Sequence, residues 1–538
     1  MSIRAFASVA LVLASALTVP VAGAAAGASV VAIDSDDTDA QVLEKAGSVV
    51  PSERQRTWQR MELTAFHHFG PNTFTDREWG TGTEDPDVFN PEDLDTDQWM
   101  RTLRDTGFKQ AILTVKHHDG FLLYPTRYST HSVKYSSWQD GGGDVVRSFV
   151  DSARRHGLKV GFYLSPADLH EAQPGGRFGN NSKPVETEIP EVGLDGTRPD
   201  GPRFTVTAND YNRFYLNTMY ELLTEYGHID EVWWDGADAV GGSKEKFVYP
   251  DWIRLVRTLQ PDAVIFQDGG PDVRWVGNES GVARTREHSV LPFNGEADGA
   301  EDRLTKPDDN GAADLGSNAL ITQRRPDGSR RWDYLKWLPA ECDTPIGGGW
   351  FWHPGQDPKS LGELQSIYYA SVGRNCQLLL NIAPDRRGKL PDADVQRLTE
   401  LAQWRHDVFG TDFARGARAT ATTSTPGNPP ARAVDGDDTT SWQPTGRTGT
   451  LTLDLRRERT VGAIGLQENL GVGQRVTGFA VDAWNGSAWQ QVATGTTIGY
   501  KRLLKLSPSV TTTRLRLRVT ASRALPAIAS FSVHAPGR

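Results

Sequence analysis

One alternation, running from about residue 60 to residue 270, constrains the fold of this 538-residue chain more than any other feature. Short apolar runs recur, separated by amphipathic segments of helical period. LTAFHHFG precedes DTDQWMRTLRDTG, QAILTVKHHDG precedes DVVRSFVDSARRHG, and LKVGFYLSP precedes DYNRFYLNTMYELLTEYG; IDEVWWDG, DWIRLVRTLQ and AVIFQDG continue the pattern. Strands that alternate with helices are βα units, and successive βα units build a parallel sheet with helical crossovers. Over about 350 residues the repeat predicts a closed (β/α) barrel rather than an open sheet, and no GxGxxG or GxxxxGK[ST] turn is present to bind a nucleotide. The polar residues sharpen this expectation. His67 and His68, then His117, His118 and Asp119, then Tyr163 and Ser165, then Asp235 all stand at carboxyl ends of strands, the ends that converge on the mouth of a barrel.

Near residue 412 the composition changes. ATATTSTPGNPPARAVDGDDTTSW is rich in Thr, Pro and small residues, and LTLDL, VGAIGLQEN, VTGFAVDAW and RLRLRV alternate with period two. The expected architecture is therefore a TIM-like barrel over residues 50–411 followed by an all-β sandwich over 412–538. The first residues place Arg4 before an apolar run and a small-residue stretch, the pattern of a cleaved secretory signal over 1–28, which predicts a secreted, extracellular protein. No later run reaches the roughly 20 apolar residues that span a bilayer. The two cysteines, Cys342 and Cys376, allow one disulfide or two buried thiols. A formal net charge of -10, with no basic cluster evident, argues against a nucleic-acid partner. Sixteen tryptophans suit a site that stacks sugar rings, although tryptophan also fills cores.

Two histidine pairs, HHFG at 67–70 and HHDG at 117–120, invite a metal reading. Adjacent strand residues point to opposite faces, so His117 and His118 are not expected to share an ion, and no HExxH helix is present; hydrogen bonding to a substrate is the better expectation. A DG dipeptide is ordinarily a turn, but Asp235 in EVWWDG follows two tryptophans at a strand end. A carboxylate there is placed to attack an electrophilic carbon while apolar walls exclude water. A second carboxyl group must then protonate the leaving oxygen. Asp251, Asp268, Asp272, Glu279, Glu287 and Glu296 are the candidates, and spacing does not choose among them.

HHFGPNTFTDREWGTG, KHHDGF, YLSP, WWDG, RWVGNESG and SVGRNCQLLLNIAPDRRG, in this order over about residues 55–410, resemble the retaining α-L-fucosidases of glycoside hydrolase family 29. HFGPNTFTDREWGTG and GNE resemble the subgroup that prefers α-1,3 and α-1,4 linkages. The resemblance implies that Asp235 is the nucleophile and Glu279 the general acid/base. It implies further that His68, Glu78, Trp79, His117, His118, Tyr163 and Trp233 hold the fucose, with Trp350 near its methyl group. It implies a retaining double displacement between carboxyl groups about 5 Å apart that needs no metal or organic cofactor, acting on fucosylated oligosaccharides or glycoconjugates. Where that subgroup carries YLSPWD this chain has YLSPADLH, so Ala167 puts the aglycone contacts at issue. The last domain, through ARAVDGDDTTSWQ, LTLDL and WNGSAWQQVA, resembles discoidin-type modules related to family 32 carbohydrate-binding modules; the resemblance leaves its role open between glycan binding and a purely structural appendage, and such modules often hold a structural calcium, for which AVDGDD is the candidate turn. Two other functions stand beside this one: a non-catalytic fucose lectin, and a metal-dependent hydrolase using the histidine pairs.

Overall fold

The protein, described here from a computed structural model, is seen over residues 27–307 and 311–537. The expected signal segment, but for its last two residues, lies outside them. Eight strands form the barrel: β1 (Leu63–His67), β2 (Gln110–Lys116), β3 (Lys159–Leu164), β4 (Glu231–Trp234), β5 (Val264–Phe266), β6 (Arg274–Trp275), β7 (Ala340–Pro345) and β8 (Cys376–Asn381). Neighbours in the chain are neighbours in the ring. All pairs are parallel, β8 returns to β1, and β5 meets β6 through one parallel bridge from Phe266 to Val273, so the barrel is near-closed.

The helices outside the ring begin where the sequence supplies caps. Asp95, Asp144 and Asn209 each accept a backbone N–H of the first turn of α1 (Thr96–Asp105), α2 (Val145–Arg155) and α3 (Asp210–Glu225). α4 (Tyr249–Leu259) has proline in its first turn, α5 (Leu361–Ala370) has a Ser360–Glu363 capping box, and α6 (Asp392–Phe409) closes the barrel segment. Their apolar stripes pack on strands that are buried throughout, as β1, β2 and β8 are.

The repeat breaks between β5 and β6, where residues 267–272 form no helix. Buried Asp272 ties that connection down: it accepts from Ile265 N–H at 2.8 Å and pairs with Arg54 at 2.9 Å and Arg257 at 2.7 Å. A three-stranded antiparallel sheet of Val30–Ala32, Tyr334–Trp337 and Val290–Phe293, not foreseen from the sequence, lies beside the barrel. Cys342 on β7 and Cys376 on β8 form a disulfide, which decides the alternative the sequence left open.

The C-terminal domain is antiparallel: β9 (Arg418–Ala421), β10 (Gly449–Glu468), β11 (Val476–Trp484), β12 (Trp489–Gly495), β13 (Arg502–Ser522) and β14 (Ile528–His534), in the order 9-10-13-11-12 with β14 on β10. Its own core includes Trp442, Leu453, Leu515 and Phe531. It docks at the amino-terminal start of β8, opposite the mouth. Leu503 N–H donates to Gly373 O at 3.0 Å, Asn375 N–H to Lys501 O at 2.9 Å, and Tyr500 N–H to the Asn375 side chain at 2.7 Å. The VDGD turn uses its own carboxylates: Asp435 and Asp437 accept from the turn's N–H and hydroxyl groups, and Asp438 pairs with Arg60. Among the described residues no group of three or more His, Cys, Asp or Glu is placed to hold a metal ion. The acidic total also conceals an asymmetry, because residues 412–538 hold 16 Lys and Arg against 8 Asp and Glu. Arg514, Arg516 and Arg518 alternate along one face of β13, the last two paired with Asp482 at 2.6 and 2.8 Å, so basic residues do cluster where none was expected.

Candidate active site

The carboxyl ends of the strands and the loops after them enclose a cavity of about 140 Å³. All ten site residues named from the sequence line it: Asp235, Glu279, His68, Glu78, Trp79, His117, His118, Tyr163, Trp233 and Trp350. Phe66 and Asp343 complete the wall. Of the six candidates for the second carboxyl group, only Glu279 is there. The others are engaged elsewhere: Asp272 with two arginines, Glu287 with Arg274 and Arg284, Asp251 with Arg254 and Asp268 with Lys306, while Glu296 is exposed.

Asp235 directly follows β4. Its Oδ2 accepts the Tyr163 hydroxyl at 2.9 Å from the neighbouring strand, and its Oδ1 accepts Ala237 N–H at 3.2 Å. Burial raises the pKa of this carboxyl above the ordinary aspartate value, against hydrogen bonds from Tyr163 and from the backbone of Ala237 and Gly236 that favour the charge. The Tyr163 hydroxyl stays protonated, since burial and the adjacent Asp235 push its pKa well above the usual phenol value. Glu279 lies in the loop after β6 and is exposed.

The imidazoles are neutral and their tautomers are legible. Ser165 Oγ donates to Ala167 O at 2.8 Å, so it accepts from His118 Nδ1 at 2.6 Å, which leaves His118 Nε2 without a proton. That nitrogen stands 3.7 Å from Asp235 Oδ2, beyond hydrogen-bond reach. His68 Nδ1 donates to Asn381 Oδ1 at 2.8 Å, leaving its Nε2 as an acceptor as well. Burial holds both rings to a pKa of about 3. His117 stacks on Tyr163 at 5.6 Å, and burial puts its pKa well below the usual value. Two imidazole acceptors and aromatic faces suit a polyhydroxylated ring with one apolar edge.

His117 and His118 depart from the strand alternation expected of them. β2 ends at Lys116, the two residues lie beyond the pleat, and both rings face the cavity 4.3 Å apart. His67 does obey it: its ring leaves the cavity, donates to Ile382 O at 2.7 Å and packs on Trp99.

Glu78 reaches across the mouth. It accepts Trp350 N–H at 3.0 Å and lies 2.6 Å from His353 Nε2, while His353 Nδ1 lies 2.5 Å from Asp76. Burial alone would lower the His353 pKa; the two carboxylates outweigh it and raise the pKa. The backbone at Gly349 allows this approach, because a Cβ there would lie 2.1 Å from Glu78 Oε1. Trp350 O in turn accepts Asn381 Nδ2 at 2.6 Å, which joins this loop to the partner of His68. Trp233 stacks on Phe266 at 4.1 Å, and Trp79, half exposed, covers His118 at 4.2 Å.

The sequence reading missed the inner face of β7. Glu341 accepts Trp233 Nε1 at 2.8 Å and Asp343 accepts Trp275 Nε1 at 2.8 Å, both carboxyl groups being buried. The signal was the ECD of AECDTP, two acidic residues two apart and so on one strand face. A search for apolar runs passes over such a strand.

A family profile described as alpha-L-fucosidase matches residues 45–408, and one described as F5/8 type C domain matches residues 418–531. Alpha-L-fucosidase 1 of Arabidopsis thaliana is 36% identical over 496 residues, covering 90% of this chain and 87% of the plant protein. A GH29 fucosidase of Ruminococcus gnavus solved in complex with fucose is 29% identical with a TM-score of 0.75, covering 91% of this chain and 96% of that one.

Proposed function

The chain belongs to the glycoside hydrolase family 29 α-L-fucosidases, and on that premise we propose that it is a secreted, retaining exo-enzyme that prefers α-1,3- and α-1,4-linked fucose on branched glycans. The cavity supports the fucoside-hydrolase reading above all else: Asp235 and Glu279 line one space of about 140 Å³ with two acceptor imidazoles and an aromatic wall. That space is small beside the ~300–1,000 Å³ of sites for drug-sized ligands, which suits one terminal sugar.

In the proposed reaction the Asp235 carboxylate attacks the anomeric carbon as protonated Glu279 gives its proton to the glycosidic oxygen, and the glycan leaves as an alcohol. Glu279, now a carboxylate, takes a proton from water, whose oxygen displaces Asp235 from the anomeric carbon. Fucose of retained configuration and the starting protonation states result. The Tyr163 hydroxyl holds Asp235 ionised and aimed; His68 and His118 accept sugar hydroxyls through Nε2. Family members need no cofactor, and none enters these steps.

Asp235 must be ionised to attack, so its raised pKa sets the acid limb of kcat/KM. Tyr163→Phe removes a hydrogen bond that favours the charged form, so that pKa rises further. The acid limb of the variant is expected at higher pH than that of the parent, as a pH profile on an aryl α-L-fucoside will record.

Linkage preference rests on the subgroup motifs. Ala167 is fully buried, lines no part of the cavity and contributes its carbonyl to Ser165. A panel of defined oligosaccharides tests the proposal: a Lewis-type trisaccharide is expected to be cleaved faster than a terminal α-1,2 disaccharide, and the reverse order refutes it. A lectin is disfavoured because both carboxyl groups are in place in the cavity.

A further inference from the structure

Double displacement uses two carboxyl groups, and the cavity contains two more, Glu78 at its mouth and Asp343. Asp343 is buried on β7, and the residue ties down both ends of the loop that carries Glu279. Its Oδ1 accepts the indole N–H of Trp275 at 2.8 Å, and its backbone carbonyl accepts Gly281 N–H at 3.0 Å. Between these points an Asn278 turn stiffens the segment, with Asn278 Oδ1 accepting the Ser280 hydroxyl at 2.6 Å. The Asp343 backbone thus fixes the far end of the loop that carries Glu279, and its carboxyl group fixes the near end at Trp275.

Asp343 also tops a column of acids inside the barrel. Trp58 donates its indole N–H to Glu231 at 3.1 Å, Trp233 donates to Glu341 at 2.8 Å, and Trp275 donates to Asp343. Each buried carboxyl group has one indole donor. Burial raises the pKa of Glu231, with Asp230 and Asp272 adding to it, and burial together with the neighbouring Glu231 raises that of Glu341.

We propose that Asp343 is a positioning residue for Glu279 that works as an uncharged carboxyl group, tying the 275–281 loop to β7 and offering the cavity an O–H donor rather than a further base. This rests on the assignment of Glu279 as acid/base. Oδ1 is engaged as an acceptor, which leaves the proton to Oδ2. The groups around it favour this form. Asp235 faces it from the end of β4, Glu279 from the loop and Glu341 from its own strand, while the nearby imidazoles of His68, His117 and His118 are neutral. Burial above all, with the Asp235 carboxylate nearby, pushes its pKa up to about 8 against the Trp275 hydrogen bond.

Asp343→Asn keeps the acceptor for Trp275 and a donor toward the cavity; Asp343→Ala keeps neither. On a natural-type glycan at pH 6, the Asn variant is expected within roughly threefold of the parent and the Ala variant down roughly 10–100-fold. On an aryl fucoside with a good leaving group, which needs little acid assistance, the Ala variant is expected to lose much less. The alkaline limb of kcat/KM on that aryl fucoside, set near pH 8 by Asp343, should move up or vanish in the Asn variant. Trp275→Phe, which cuts one tether and leaves Asp343 in place, should show the same split between substrates if the Asp343 variants fold poorly. Equal damage from Asn and Ala, an equal loss on both substrates, or an unmoved alkaline limb each overturns the proposal. Glu279→Gln separates the two readings: if it keeps glycan turnover, the acid/base assignment itself fails, whatever Asp343 does.

Discussion

Asp235→Gly is expected to lower kcat by roughly four to six orders of magnitude, the scale on which removal of a catalytic nucleophile acts. The variant keeps Glu279, the imidazoles and the aromatic wall, so substrate still binds, but no carboxylate reaches the anomeric carbon. The vacated space beside Tyr163 admits a small anion. With α-fucosyl fluoride, whose leaving group needs little help, azide is expected to enter from that side and give the β-fucosyl azide, of inverted configuration. No recovery by azide, or recovery with retained configuration, removes Asp235 from the role of nucleophile.

Glu279→Ala is expected to lose roughly 10²–10⁴-fold on glycans, whose alkoxide leaving groups need a proton, and far less in forming the fucosyl-enzyme from an aryl fucoside with a good leaving group. The intermediate then persists, because no base activates water. Azide needs no base, so it is expected to restore turnover and give the α-fucosyl azide, of retained configuration. The two variants with one nucleophile thus yield opposite stereochemistry. Near-normal glycan turnover by Glu279→Ala would return the search to the other carboxyl groups, and the structure leaves few: Asp272 and Glu287 are buried in arginine pairs, and Glu78 and Asp343 share the cavity.

Strands β1 to β5 were legible because their apolar runs alternate with segments of helical period. Where the barrel interior turns polar, that signal fails. β6 is two residues long and follows β5 without a helix, and β7 presents Glu341 and Asp343 inward, each compensated by a tryptophan far away in sequence. Such pairings join residues such as Trp233 and Glu341, 108 positions apart, which no local pattern encodes. The site was legible for two reasons. Chemistry collects at strand ends, and the motif resemblance singled out Glu279 from six carboxyl groups that spacing could not rank. His117 and His118 show the limit of alternation, which holds within a pleat and not one residue past its end. Charge was misread for a related reason, since a total of -10 averages an acidic barrel segment with a basic β domain.

The central claim is a covalent bond between fucose and Asp235, and it can be observed. Glu279→Ala, mixed with a large excess of an aryl α-L-fucoside and quenched in acid within its first turnover, is digested and mapped by mass spectrometry. The account predicts the added mass of one fucosyl group on the peptide that contains EVWWDG, localised to Asp235 and absent when Asp235 is also replaced. A fucosyl group on any other residue, or full release of phenol with no adduct while the product forms with inverted configuration, contradicts it.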